Sequence, residues 1–381
     1  AMNKKATELL KQYGFERIKA ADMIDSYNFE DRKLVEIVKA TYFNPKIVVI
    51  DETTTALSQE GREELYKHME RIRKSGNTVI FISHDLPEII EKSDTITILR
   101  DGVYIDTVKS KDVNENDLKK LMVGREVTGD YYRSDYGEKV SDEVVLSVKD
   151  VTVPGLIENV SFDLHKGEIL GFGGLSESGM HEIGKAIFGA SYDREGTVEL
   201  ADGTQINDIP TAIKHSIAYT SKDRDNESVV LNQSIGDNIC LPSLDELSGP
   251  AHLISDKKKK DFANKFAKQM SVKMVDVNQF VSNLSGGNKQ KVVLARWIGK
   301  DSDIVVLDSP TRGIDIKVKQ DIYQLMNQMR KNGKSIIMIS EELMELIGMC
   351  DRIMIMKDGK ISGELERDQN LDENGLITMM V

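Results

Sequence analysis

The sequence of 381 residues has only two cysteines, Cys240 and Cys350, and no apolar run long enough to cross a lipid bilayer. Two cysteines exclude a framework of several disulfides and are typical of a reducing compartment. Basic residues are in the minority, since 51 Lys and Arg accompany 63 Asp and Glu, for a net charge of −12. Such an acidic chain is not expected to bind nucleic acid, which requires a basic surface. With 40% hydrophobic and 30% charged residues, the chain is expected to form about two to three globular domains.

One segment of the sequence occurs twice. Residues 46–102 and residues 303–359 align without a gap when 257 is added to each number of the first segment. The aligned pairs include Asp51 with Asp308. Solenoid repeats have periods of about 50 residues or fewer, so this longer spacing indicates two related domains rather than a solenoid.

Each copy of the segment alternates apolar strands with helical stretches. In the first copy, strands are predicted over residues 47–50, 78–82 and 95–99, and the second copy has strands at the equivalent positions. Fully apolar strands between helices indicate an α/β fold with a mainly parallel sheet, covered by helices on both faces. Ligands of such sheets bind at the carboxyl ends of the strands.

A polar, non-periodic stretch over residues 125–142 separates the two copies and is typical of a linker. We therefore predict a first domain over residues 1–124 and a second over residues 143–381. The second copy of the repeat is preceded by residues 143–302 of its own domain, whereas the first is preceded by residues 1–45 alone. The first domain is accordingly expected to lack the N-terminal portion of its fold.

The strongest local motif precedes a helix predicted over residues 291–299. Ser285 is followed by Gly286, Gly287 and Asn288, so a hydroxyl and unobstructed backbone amides stand at the positive end of the helix dipole. This arrangement suits the oxygens of a phosphate group. The alternative is an ordinary serine cap followed by flexible glycines.

Acidic and imidazole side chains follow two strands of the first copy. Asp51 and Glu52 end the first strand, where one carboxylate could hold Mg²⁺ through water and the other could polarise an attacking water. His84 follows the next strand. Each feature alone has a structural alternative, namely a polar strand exit and a histidine without catalytic function.

A glycine-rich stretch over residues 167–181 lies where a strand is expected to turn into a helix. Gly174 and Gly179 have the spacing of the phosphate loop G-x-x-x-x-G-K-[ST]. However, Met180 replaces the lysine, His181 replaces the Ser or Thr, and Glu177 adds a negative charge. No intact form of this loop occurs in the chain, so tight catalytic binding of nucleotide is not expected here.

Together these motifs resemble ATP-binding cassette (ABC) ATPases, and most closely the tandem-cassette subunits of bacterial simple-sugar importers. Residues 284–288 are similar to the signature motif of that family. Asp51 and Glu52 are similar to its Walker B aspartate and catalytic glutamate, and His84 to its switch histidine. Residues 310–315 are similar to the stretch that follows Walker B in the sugar-importer subfamily. The resemblance covers essentially the whole chain.

The resemblance implies P-loop NTPase domains that bind ATP and Mg²⁺. It implies that Asp51 holds Mg²⁺ through water, that Glu52 and His84 are catalytic, and that Asp315 belongs to the nucleotide-binding residues together with the signature and the glycines of the degenerate loop. It also implies integral-membrane permease subunits as partners, indirect contact with an extracytoplasmic sugar-binding protein, and a location on the cytoplasmic face of the cell membrane.

The departures from the family pattern lie mostly in the second copy. Ser309 stands at the position of the catalytic glutamate, Glu341 at that of the switch histidine, and Lys222 at that of the Q-loop glutamine. In the first copy, residues 27–31 replace the signature and contain neither glycine. Cassettes of the family pair head to tail, so the resemblance implies one catalytic site and one degenerate site. The 381-residue chain alone is expected to hydrolyse ATP negligibly.

Three other functions remain possible at this level. The degenerate half favours a non-hydrolytic nucleotide-binding or regulatory module. A nucleoside importer would have a similar ATPase subunit. A soluble tandem-cassette factor acting on ribosomes is disfavoured by the net charge of −12 and by the short linker, which has no basic arm.

Overall fold

The computed structural model describes residues 2–27, 29–51, 53–57, 59–83, 85–100, 103–123, 131–136, 138–175, 177–249, 252–314, 316–368 and 371–380. The chain divides into two compact units, Ala1–Thr128 and Gly129–Val381, which we call unit 1 and unit 2. No helix within the described ranges has the length and apolar content needed for a membrane crossing.

The described residues of unit 1 form two small sheets and five α-helices. The parallel strands β1 (Ile47–Asp51) and β2 (Thr78–Ile82) form one sheet, and the antiparallel strands β3 (Thr95–Arg100) and β4 (Val103–Lys109) form the other. The helices are α1 (Met2–Gln12), α2 (Phe29–Thr41), α3 (Gln59–Lys74), α4 (Leu86–Lys92) and α5 (Glu115–Val123).

In the part of unit 2 that the structure describes, the strands form a six-stranded sheet and a three-stranded antiparallel sheet. Its strands are β5 (Val144–Val153), β6 (Ile157–His165), β7 (Ile169–Gly174), β8 (Glu195–Leu200), β9 (Ile217–Thr220), β10 (Ile304–Asp308), β11 (Ser335–Ile339), β12 (Arg352–Lys357) and β13 (Lys360–Glu366). The larger sheet has the order β13-β12-β7-β11-β10-β9, and only β13 is antiparallel to its neighbour. The smaller sheet has the order β6-β5-β8. The predicted α/β class with mainly parallel strands is therefore confirmed.

Some helices of unit 2 pack on the six-stranded sheet and others pack on neighbouring helices. The helices are α6 (Met180–Ile187), α7 (Ile209–Lys214), α8 (Ile235–Cys240), α9 (Leu244–Leu247), α10 (Asp256–Gln269), α11 (Gly286–Lys300), α12 (Ile316–Lys331), α13 (Leu343–Met349) and α14 (Glu373–Met380). Every residue of β7, β10 and β11 is buried, as expected for strands packed on both faces.

The equivalent strands of unit 1 are covered on one face only. Ile47 and Val49 of β1 are 59% and 58% exposed, whereas their counterparts Ile304 and Val306 are 4% and 0% exposed. In unit 2, β7 pairs with both β11 and β12, and α6 packs on β10 and β11. Among the described residues of unit 1, β2 pairs with β1 alone, so the two small sheets are not joined by a strand equivalent to β7.

The stretch predicted as a linker, residues 125–142, includes residues that pack within unit 2. The ring of Tyr132 lies 5.3 Å from that of Tyr323 in α12. The Arg133 side chain is 1% exposed and donates hydrogen bonds to the carboxylate of Asp351 and the carbonyl oxygen of Met349, each at 2.7 Å. One of the polar side chains of this stretch is therefore a buried charge that forms an ion pair within unit 2.

Candidate functional site

The glycine loop of unit 2 joins the end of β7 to the start of α6, as the sequence predicts. Gly179, before the helix, has φ +88°, and a Cβ there would lie 2.5 Å from the carbonyl oxygen of Leu156. A Cβ on Gly174 would lie 2.7 Å from the carbonyl oxygen of Met356. Close backbone packing therefore requires glycine at both positions and gives the loop the outline of a phosphate cradle.

The loop differs from a catalytic phosphate loop in its side chains. Met180, at the position of the lysine, is fully buried in the core of unit 2 and does not reach the loop opening. The hydroxyl of Ser178 is buried next to Gly174 and has no hydrogen-bond partner among the described residues. An unpaired buried hydroxyl is uncommon, and it marks a place where a polar ligand could be accommodated.

Four side chains meet at the carboxyl ends of the strands beside this loop, and we call them the strand-end cluster: His181, Lys222, Asp308 and Glu341. His181 is the second residue of α6, Asp308 ends β10, and Lys222 and Glu341 follow β9 and β11. His181 Nδ1 lies 2.7 Å from Asp308 Oδ1. Lys222 Nζ lies 2.7 Å from Glu341 Oε1 and 3.1 Å from His181 Nε2. The sequence singled out these four residues separately but did not predict their contact.

The cluster is closely balanced in charge. Burial favours the neutral imidazole, but hydrogen bonds to Asp308 and Glu341 outweigh burial and raise the pKa of His181 above its ordinary value. Asp308 is 1% exposed and also accepts a hydrogen bond of 3.1 Å from the hydroxyl of Ser309. Asp308 is therefore held by protein donors within unit 2.

The signature stretch lies at the exposed start of α11. Ser285 precedes the helix and is exposed, and its hydroxyl accepts a hydrogen bond of 3.0 Å from the side-chain amide of Asn288. The first intrahelical bond runs from Lys289 N to Ser285 O. The amides of Gly286, Gly287 and Asn288 therefore point out of the helix start, where they can donate to an anion.

Positive charge accompanies this helix start. An Arg224 guanidinium nitrogen lies 3.1 Å from the position that a Cβ on Gly286 would take, and Lys289 Nζ lies 2.8 Å from Asp225 Oδ2. Burial would raise the pKa of Asp225, but the neighbouring Lys289 and Arg224 outweigh burial and lower it. Residues 221–224 resemble in part a characteristic stretch of the sugar-importer subfamily, but that resemblance does not predict the contact of Arg224 with the signature.

In unit 1, Asp51 ends β1 and is exposed, as the strand pattern predicts. Glu52, His84 and Asp315, which the sequence also selects as site residues, lie outside the described residues. Asp31, which lies in the stretch that replaces the signature in unit 1, is 8% exposed and lies 2.8 Å from Arg17 Nε. That segment therefore presents a paired carboxylate in place of the open glycine amides of unit 2.

A hydrogen-bonded carboxylate joins the loops after β1 and β2 in unit 1. Glu88 accepts hydrogen bonds from Ser83 at 2.7 Å and from Thr54 at 3.0 Å, and also from the Tyr66 hydroxyl. The same network recurs 257 residues later in unit 2, with Glu345 accepting from Ser340, Thr311 and Tyr323. These buried pairs hold the loops that carry the functional residues at one edge of each sheet, and sequence reasoning did not identify them.

Asp51 and Asp308, which end equivalent strands of the two units, differ in how well they could bind Mg²⁺. Within the described ranges, no group of three or more His, Cys, Asp or Glu side chains could hold a metal ion. The exposed carboxylate of Asp51 fits Mg²⁺, which keeps most of its waters and often takes one or two protein carboxylates. Asp308 does not fit, because His181 occupies its oxygen and the ammonium of Lys222 lies beside that imidazole.

The chain is similar in sequence to known proteins. The family profile described as "ABC transporter" matches residues 157–312. The ribose import ATP-binding protein of Clostridium tetani is 38% identical over 340 residues, which are 89% of this chain and 67% of that protein. Its counterpart in Lactococcus lactis subsp. cremoris is 40% identical over 98% of this chain and 75% of that protein. The xylose import ATP-binding protein of Thermoanaerobacter pseudethanolicus is 43% identical over 88% of this chain and 68% of that protein.

Solved structures share the fold. A bacterial ABC transporter cassette solved as a dimer has a TM-score of 0.52 and 22% identity, and the match covers 58% of this chain and 99% of that one. A nucleotide-free ATP-binding cassette from an ABC transporter has a TM-score of 0.53 and 18% identity over 62% of this chain and 99% of that one. At these identities the likeness establishes the fold alone.

Proposed function

Because the chain belongs to the ATP-binding cassette family of transporter ATPases, we propose that it binds and hydrolyses ATP to power sugar import, with unequal roles for its two units. Unit 1 carries the acids that split the phosphoanhydride bond. Unit 2 contributes the signature and holds a degenerate phosphate loop. The names of the relatives, which are ribose and xylose import ATP-binding proteins at 38–43% identity, support a sugar as the transported solute.

The observation that carries the proposal is the contrast between two equivalent strand ends. Asp51 is exposed at the end of β1, and Glu52 follows it in sequence. Asp308, at the same position of β10, is buried and hydrogen-bonded by His181 and Ser309. A carboxylate that must meet Mg²⁺ and water has to be accessible, so Asp51 suits hydrolysis and Asp308 does not.

The roles follow from the physics of phosphoryl transfer. Asp51 would hold Mg²⁺ through water, and the bound ion would neutralise charge on the phosphate oxygens. Glu52 orients a water molecule and accepts its proton, and His84 donates to the terminal phosphate. The amides of Gly286 and Gly287 donate to the charge that develops on the phosphate, and loss of one such donor costs about 10²- to 10³-fold in rate.

The partners proposed are integral-membrane permease subunits, with an extracytoplasmic sugar-binding protein acting through them. The chain would then work at the cytoplasmic face of the membrane. The printed names of the relatives as import ATP-binding proteins support this assembly.

A second candidate is a non-hydrolytic nucleotide-binding module. The strand-end cluster favours it, since in unit 2 it places a lysine and a histidine where hydrolysis needs Mg²⁺ and water. This candidate assigns no catalytic role to Glu52, and the two candidates therefore differ in their dependence on that residue.

The experiment measures ATP hydrolysis and sugar uptake with permease subunits in liposomes. It uses the chain as it stands and a form extended at its N-terminus by a strand, an intact phosphate loop and a helix. The chain alone should hydrolyse negligibly. The extended form should be active, Glu52→Gln should reduce its rate about 10³-fold, and the matched variant Ser309→Ala should not. If the extended form is silent with permease present, the importer ATPase function is rejected and the non-hydrolytic module is favoured.

A further inference from the structure

We propose that the glycine loop of unit 2 binds a nucleoside diphosphate without a divalent cation, with Lys222 supplying the positive charge that Mg²⁺ supplies elsewhere in the family. The inference rests on the proposed function in one respect, since the family assigns phosphate binding to this loop. It concerns a different chemical property, namely the independence of this site from metal.

The loop carries the additional negative charge of Glu177 but retains a glycine turn, a helix start and a buried hydroxyl, which can receive phosphate. Gly179 allows the backbone to turn into α6, which has eight residues and begins at Met180. The first amide groups of this helix lie at the loop. The Ser178 hydroxyl, in a side chain only 4% exposed, lies inside the loop against Gly174 and has no partner among the described residues. A phosphate oxygen would satisfy this buried donor.

The positive charge beside this loop belongs to Lys222, which follows β9, and not to the first residue of α6. Met180 cannot neutralise a phosphate, because its thioether is uncharged and fully buried. The ammonium of Lys222 lies 3.1 Å from the imidazole of His181, the second residue of α6. The carboxylate of Glu341, 2.7 Å from Lys222 Nζ, holds the ammonium beside the loop, and the Lys222 side chain remains 24% exposed and accessible to a ligand.

The same contacts exclude Mg²⁺. Magnesium needs near-octahedral oxygen ligands, and the strand-end cluster offers two nitrogen groups at the centre of the site. The one carboxylate at the expected position, Asp308, is 1% exposed and already accepts from His181 at 2.7 Å and from Ser309 at 3.1 Å. A divalent cation entering there would displace these donors and stand beside the ammonium of Lys222, which repels it.

The carboxylate of Glu341 sets the length of the phosphate chain. It lies 2.7 Å from Lys222 Nζ and 3.6 Å from His181 Nε2. The repeat places Glu341 where unit 1 carries His84, the residue that would donate to a terminal phosphate. A third phosphate would therefore meet a negative charge, whereas a diphosphate can share Lys222 with Glu341. The site should prefer ADP to ATP.

The test is a calorimetric titration of the full 381-residue chain with ADP, once in excess MgCl₂ and once in EDTA. The two affinities should agree within about twofold, and ATP should bind more weakly than ADP. Lys222→Gln should weaken ADP binding about tenfold or more in EDTA, and Lys222→Arg should restore it. Lys334→Gln removes the same charge next to the opposite end of β11 and should have no effect.

The comparison of MgCl₂ with EDTA uses the unmodified chain, so it tests the proposal even if Lys222→Gln fails to fold, and a double variant then tests how Mg²⁺ is excluded. In His181→Ser with Lys222→Gln, oxygen-bearing side chains replace both nitrogen groups, and ADP binding should gain a requirement for Mg²⁺. The proposal is overturned if the unmodified chain binds no ADP, or if Mg²⁺ tightens its binding tenfold or more. The hydrolysis assay depends on Glu52 in unit 1, so a negative result in either experiment leaves the other interpretable.

Discussion

Replacement of Arg133 by alanine should destabilise unit 2 strongly, although Arg133 lies in a stretch whose sequence is typical of a linker. Its guanidinium donates to Asp351 and to the carbonyl oxygen of Met349 at 2.7 Å, and to Asp135 at 2.9 Å. The side chains of Arg133 and Asp351 are 1% and 5% exposed. Arg133→Ala would therefore leave a buried carboxylate without its counter-charge.

The magnitude follows from the partners that remain. Removal of one member of a buried ion pair costs about 3–5 kcal/mol of unfolding free energy. Asp351 keeps a hydrogen bond of 2.8 Å from the amide of Ile169, and Asp135 keeps its ion pair with Arg330. These partners reduce the loss, so we expect a value near the lower limit, about 3 kcal/mol.

Urea denaturation followed by fluorescence measures this loss, because Trp297 is the only tryptophan of the chain and is buried in unit 2. The matched control is Lys360→Ala, which breaks an exposed pair of 3.1 Å with Glu158 and should cost less than about 1 kcal/mol. A loss for Arg133→Ala no larger than that of the control would refute the reasoning that residues 131–136 are part of the packed structure of unit 2.

Three further predictions concern stability and reactivity. His181→Ala should lower the free energy of unfolding, and the loss should be at its maximum below about pH 6.5. The loss should become smaller as the pH rises through the raised pKa of His181, because the stabilising charge of the imidazole then disappears. Denaturation at several pH values measures this loss, and a pH-independent loss would contradict the prediction. Gly203→Ala should cost about 1 kcal/mol for its φ of +84°, and Gly179→Ala clearly more, because only there would the Cβ lie 2.5 Å from a backbone oxygen; equal losses in denaturation would refute this. Burial raises the pKa of Cys240 to about 11 and also raises that of Cys350, so a thiol reagent should label both slowly until the chain unfolds; rapid labelling of the native chain would contradict the burial.

The sequence predicts the elements of both units well because the repeat and the apolar periodicity are local signals. The strand predicted over residues 47–50 is Ile47–Asp51 in the structure, and its counterpart is Ile304–Asp308. The antiparallel partners β4 and β13 carry no such apolar run and were not predicted. The exposure of Ile47 and Val49 was not predicted either, since their pattern is the same as that of the buried strand in unit 2.

The site was predictable residue by residue but not as an arrangement. The substitutions at His181, Lys222 and Glu341 were visible as departures from a motif, and they suggested only that the second site is degenerate. Their contacts join residues 41 and 119 positions apart in the sequence, and no local pattern encodes such a pairing. The same holds for Arg224, whose approach to Gly286 depends on the fold of the whole unit.

The most direct test of the division between the two units compares Asp51→Asn with Asp308→Asn. The measurement is the steady-state rate of ATP hydrolysis by the active, permease-bound form. We predict a loss of about 10²-fold or more for Asp51→Asn. The rate for Asp308→Asn should stay within about threefold of that of the unmodified protein. A large loss from Asp308→Asn together with a small one from Asp51→Asn would contradict the account.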